Sequence, residues 1–168
     1  MDIHTFWGHV KANAQQLSAR LWQNGKLWTI DPDFAIVRAE GTTSDPYPSP
    51  LYKRRPLVDG QGHWMAGPEA TADELRVWLT QVYLAAGNTF VSDSIARLNR
   101  HGLALLGKVL PPLEGSSWAL DLFDNPTPRY WLARAGRRTF LGVFNWEDEE
   151  AGVELPAGLD LPTGGKDV

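Results

Sequence analysis

Near the start of the chain, apolar residues return every three or four positions. Phe6, Val10, Ala14, Leu17 and Leu21 form one stripe, which predicts a helix over residues 2–21. Asp2 stands where an N-cap carboxylate would sit, and Gly25 follows in a turn. The run Phe34-Ala35-Ile36-Val37 then reads as a short strand. Asp31-Pro32-Asp33 precedes it and belongs to a strand end or a loop, because proline cannot donate to a central ladder.

Residues 40–70 are rich in proline and glycine and show no period, so they read as a long irregular segment. Such segments are often lids or binding loops. A second helix opens at Thr71, with Glu74 completing a capping box. Leu75, Trp78, Leu79, Val82 and Leu84 supply its buried side, and Gly87 is placed to stop it. Thr89-Phe90-Val91 reads as a strand ending at Ser92-Asp93. A third helix is expected from about Ile95 to Leu110, closed by Pro111-Pro112.

The pattern changes after Gly115. The stretches 118–123, 130–133, 139–144 and 153–155 read as strands joined by short turns, as in a meander or sandwich. Two regions follow: residues 1–112, alternating helix and strand, and residues 113–168, all-β and incomplete. The alternation implies parallel strands with crossover helices, that is, α/β architecture. Two parallel strands cannot cover their own edges, and a complete barrel of this kind takes about 250 residues and eight strands. The first region is therefore expected to be part of a (β/α)8 barrel, and the second an antiparallel, sandwich-like domain.

The composition removes several classes. Lys and Arg number 16 against 20 Asp and Glu, a net charge of −4. Nucleic-acid binding, which needs a concentrated basic face, is not expected. The one basic run, Lys53-Arg54-Arg55, reads as a solvated loop. There is no cysteine, hence no disulfide or thiolate metal site. His4, His9, His63 and His101 lack ligand spacing, and Gly60-Gln61-Gly62 lacks the setting of a phosphate loop. No cofactor and no metal are expected. No apolar run reaches a membrane span, and residues 1–5 do not read as a signal peptide, so a cytoplasmic location and no membrane partner are expected. Eight Trp among 168 residues is high, and indole stacks on apolar sugar faces as well as packing in cores.

Carboxylates fall at three element ends: Asp2, Asp31 with Asp33, and Asp93. At the C-terminal mouth of a barrel, paired carboxylates suit glycoside hydrolysis, one as acid/base and one as nucleophile. Taken singly, each has a plainer role: helix capping for Asp2, a turn for Asp31, a cap on the next helix for Asp93.

Three ordered stretches resemble the late barrel of the α-galactosidases and the related melibiases and raffinose synthases. They are Asp2-Ile3-x-x-x-Trp7; Trp28-x-x-Asp31-Pro32-Asp33-Phe34; and Glu74-x-x-x-Trp78, Ala85-Ala86-Gly87 and Val91-Ser92-Asp93. The resemblance covers residues 2–110 and continues more loosely through residues 120–123 and 142–146. It implies that Asp2 is the acid/base, and that Asp33 and Phe34 touch an α-linked galactoside. Asp31 and Asp93 would line the same mouth. Trp28, or Tyr47 or Trp64 of the long loop, could stack on the ring, core packing being the first expectation for Trp28. Ile30 stands where the family has Asn, and the Arg that precedes the acid/base would fall before Met1. The family's nucleophile, an Asp on the fourth strand, has no counterpart here. The chain thus reads as a C-terminal piece cut at both ends, inactive alone. A partner chain completing the barrel, self-association, a non-catalytic carbohydrate-binding role and a truncated product without function are the other expectations.

Overall fold

The computed structural model describes residues 5–39, 41–44, 70–156 and 159. These residues form a mixed α/β fold of three α-helices and a three-stranded antiparallel sheet. Among the described residues no helix is long and apolar enough to cross a membrane.

Helix α1 spans Trp7–Ser18, shorter at both ends than its apolar stripe suggests. Extended Phe6 is its N-cap residue, and the Phe6 carbonyl accepts from the His9 and Val10 amides, both at 3.0 Å. Asp2 is therefore not the cap, and it lies outside the described residues. The chain is pinned just before the helix, where the Thr5 carbonyl accepts the Ala70 amide at 2.6 Å. After Ser18 the backbone tightens into a 3₁₀ turn at Leu21–Gln23.

Helix α2 spans Ala72–Leu84 and begins as its sequence dictates. The Thr71 hydroxyl accepts the Glu74 amide, and the Glu74 carboxylate accepts the Thr71 amide at 2.6 Å. Its end differs from expectation. The left-handed residue is Ala86 (φ 54), while Gly87 is required for closeness: a Cβ there would collide with the Ile30 carbonyl oxygen.

Between α1 and α2, the segment expected as a strand at 34–37 makes only one bridge among the described residues, parallel, from Ala35 to Val91. The Ala35 amide donates to the Phe90 carbonyl (2.6 Å), and the Ser92 amide donates to the Ala35 carbonyl (3.3 Å). The next rung of a parallel ladder would take the Val37 amide to the Ser92 carbonyl. The Asp93 carboxylate takes that amide instead, at 2.6 Å, and ends the pairing.

The third helix is broken. A 3₁₀ turn, Ile95–Arg97, precedes α3, Arg100–Gly107. Asn99 separates them because its side-chain oxygen caps the His101 and Gly102 amides (2.9 and 3.0 Å) while its amide nitrogen donates to the Gly41 carbonyl (2.9 Å). One hydrophobic cluster joins these pieces, with Val10, Ile36, Val37, Trp78, Leu105 and Val109 at its centre.

The sheet is a meander of β1 (Ser116–Ala119), β2 (Tyr130–Ala135) and β3 (Arg138–Val143). Residues expected as strand beyond Ala119 turn instead. The Asp121 carboxylate gathers the Arg129 and Tyr130 amides and the Asn125 side chain within 3.1 Å, folding the connection back. Gly136 (φ 57) opens the two-residue β2–β3 turn, where a positive φ matches the strand twist. Residues 153–155 are not a strand; the Glu154 carbonyl accepts the Tyr130 hydroxyl at 2.7 Å. A second cluster, including Ala14, Leu17, Leu84, Trp131, Phe144 and Trp146, seats the sheet on α1 and α2.

Candidate functional site

The candidate site is the Asp31-Pro32-Asp33 loop. Its two ends are held by the neighbouring segment: the Ile30 carbonyl accepts the Asn88 amide (2.9 Å), and Ala35 is bonded to Phe90. Ile30 to Ala35 thus runs against the shorter stretch Asn88 to Phe90, and the surplus residues form a bulge in which Asp31 is exposed and Pro32 buried. Proline suits the bulge because it has no amide proton to satisfy.

Asp33 sits at φ 84, a left-handed conformation costly for most residues but open to Asp through local hydrogen bonds. Those bonds are present. The Asp33 amide donates to Asp31 Oδ1 (2.9 Å), and the Phe34 amide donates to Asp33 Oδ1 (2.7 Å). Asn13 Nδ2 of α1 reaches Asp33 Oδ2 at 3.5 Å. Asp31 is exposed and Asp33 half-buried.

The loop and α1 enclose a cleft of about 110 Å³, lined by Asn13, Gln16 and Arg20 on one side and by Asp31 and Asp33 on the other. Ligand pockets for drug-sized molecules run to roughly 300–1,000 Å³, so this cleft suits one polar edge of a sugar rather than a whole oligosaccharide. Two carboxylates accept, and an amide, a second amide and a guanidinium donate: the mixture that hydroxyl groups need.

Phe34 lies beside the loop, 40% exposed, its ring edge-on to Phe90 with centroids 6.4 Å apart. Trp28, expected in the core, is 57% exposed, its carbonyl accepting the Gly25 amide at 2.9 Å. It is available to a ligand rather than used in packing.

Asp93 is not brought to this cleft. Its side chain is fully buried and clamped between the Val37 amide and Arg38 Nη1 (2.7 Å). Asp33 precedes the Ala35–Val91 bridge and Asp93 follows it, so the two carboxylates stand at opposite ends of the parallel pairing. Asp2, Tyr47 and Trp64 lie outside the described residues. Asn13, Gln16, Arg20 and Phe90 were not singled out in the sequence. Asn13 and Gln16 of α1, with Arg20 just beyond its end, do carry a signal, a polar stripe at helical spacing flanking the apolar one.

Among the described residues, no group of three or more His, Cys, Asp or Glu is placed to hold a metal ion. Comparison with protein-family models, with curated proteins and with solved structures gives no match.

Proposed function

We propose that this chain is the late part of a (β/α)8 barrel from a retaining glycoside hydrolase of the α-galactosidase kind, and that it keeps the sugar-binding edge without the full catalytic set. The observation that carries this reading is the parallel contact of Ala35 with Val91 across an intervening helix; the Asp31-Pro32-Asp33 loop leads into this pair, at the end opposite Asp93. A parallel pair joined through a helix is the repeating unit of such a barrel. Trp78 of α2 ties the unit together by donating its indole N–H to the Phe34 carbonyl at 2.9 Å.

In this reading Asp33 accepts hydrogen bonds from sugar hydroxyls, and Trp28 or Phe34 covers an apolar ring face. Asp2 is the acid/base, and the nucleophile and remaining strands are not among these 168 residues. Asp93 acts through the backbone, holding the segment that follows Phe34. A second reading, a carbohydrate-binding protein without hydrolysis, is favoured by the same exposed aromatics.

Titration of the purified chain with methyl α-galactoside, followed by tryptophan emission, tests the sugar site. A saturable change with a Kd near the millimolar range, about 4 kcal/mol of binding, is expected, and Asp33→Asn should abolish it. A flat titration of the folded protein overturns the sugar site. Release of nitrophenol from an α-galactoside should be absent for the chain alone. Turnover near the ~10 per second of an ordinary enzyme would show that the nucleophile is in this chain after all.

A further inference from the structure

A second cleft, of about 690 Å³, lies between the end of α3 and the β2–β3 turn, away from the Asp31-Pro32-Asp33 loop. Three cationic side chains line it: Lys108, the residue that ends α3, and Arg137 and Arg138 at the turn. They come from parts of the chain about thirty positions apart, so folding, not local sequence, assembles them. Among the described residues none of the three is in an ion pair or a side-chain hydrogen bond. Glu114 also lines the cleft, which leaves it an excess of positive charge in a protein whose net charge is −4.

Like charges brought together repel, and folding gains nothing by it unless an anion fills the gap. Lys108 has some local use, since a cation suits a helix C-terminus, but the arginines on the turn have none. The rest of the wall is apolar and aromatic. Phe140 meets Tyr83 edge-on at 5.9 Å, and Pro111 and Pro112 form the opposite side.

We infer that this cleft binds a phosphate or sulfate ester carried on a ring, the oxyanion held by Arg137, Arg138 and Lys108 and the ring resting against Phe140 and the prolines. Guanidinium groups bind such oxyanions through paired, charge-assisted hydrogen bonds. Phosphorylated and sulfated sugars share this chemistry. The site is independent of the galactoside reading, and neither depends on the other.

The test is calorimetric titration of the whole chain with galactose 6-phosphate, galactose 6-sulfate and, as a ringless control, inorganic phosphate, at low salt. At least one sugar ester should bind saturably and more tightly than inorganic phosphate, and the better of the two identifies the anion. Arg137→Ala should weaken binding by about tenfold, and Arg137→Ala with Arg138→Ala by about a hundredfold. Both arginines are exposed, so these variants should fold; Lys108→Gln gives a second, independent loss. Raising the salt should weaken binding, since the site is open to screening. Absence of saturable binding by both esters, binding no tighter than that of inorganic phosphate, or binding unchanged in the double variant overturns the inference.

Discussion

Replacing Asp93 by alanine should be among the most damaging single changes in the helical half. Its carboxylate is fully buried and bridges the amide of fully buried Val37 and an Arg38 side chain only 17% exposed. Breaking a buried ion pair from one side costs roughly 3–5 kcal/mol, because the surviving charge stays desolvated. That figure already contains part of the roughly 1–3 kcal/mol for an orphaned amide, so the two are not summed. Against a usual stability of about 5–15 kcal/mol, Asp93→Ala should remove roughly a fifth at the least and most of it at the worst. At about 2–4 °C per kcal/mol for a chain of this size, the melting temperature should fall by roughly 6–20 °C. Urea unfolding followed by tryptophan emission reads the loss directly, with an unchanged slope indicating intact cooperativity. Arg38→Met and the double variant complete a cycle whose coupling should exceed about 1 kcal/mol. If Asp93→Ala unfolds within about 0.5 kcal/mol of the parent, within the range of ordinary surface substitutions, the clamp is not structural.

Three further outcomes can be read with the same urea assay. Thr71→Ala removes half of the capping box of α2 and should cost about 1 kcal/mol; no change would mean that the helix start is held by tertiary contacts alone. Gly87→Ala drives a methyl group into the Ile30 carbonyl, and should cost about 1–3 kcal/mol while disturbing the loop that begins at Asp31. Gln81 is fully buried in α2 with neither end of its amide hydrogen-bonded, so Gln81→Met should raise stability by about 1–3 kcal/mol; a loss would reveal a partner for the amide.

Features specified within a few residues were legible in the sequence. The start of α2 needed only Thr71 and Glu74, and the loop character of residues 31–33 needed only Pro32. Features that depend on distant chain were not. Asp93 reads as a cap for the following helix until Val37 and Arg38 are seen to claim both of its oxygens. The apolar period carries straight through Leu98 towards Leu106, yet the helix breaks because Asn99 bonds to Gly41 and Thr43, more than fifty residues earlier. Trp28 was assigned to the core by residue type, but the tight turn that returns its carbonyl to Gly25 leaves the indole outside. The cationic cleft was invisible for the same reason, because Lys108 and the Arg137-Arg138 pair meet only once the sheet docks on the helices.

The conformation of Asp33 separates a structural from a binding role for its carboxylate. Glycine would occupy φ 84 without strain, and asparagine tolerates it as well as aspartate does. The backbone therefore does not require a charge at this position. The Phe34 amide would be served equally by the side-chain oxygen of asparagine, and the 3.5 Å approach of Asn13 is too long to count for much. What aspartate adds is a half-buried negative charge beside a polar cleft, a feature that sugar hydroxyl groups can use. Asp33→Asn keeps the backbone conformation and the oxygen that the Phe34 amide uses, and should remove the response to galactoside. If stability falls while sugar binding persists, the charge serves the fold and the cleft has no claim to be a subsite.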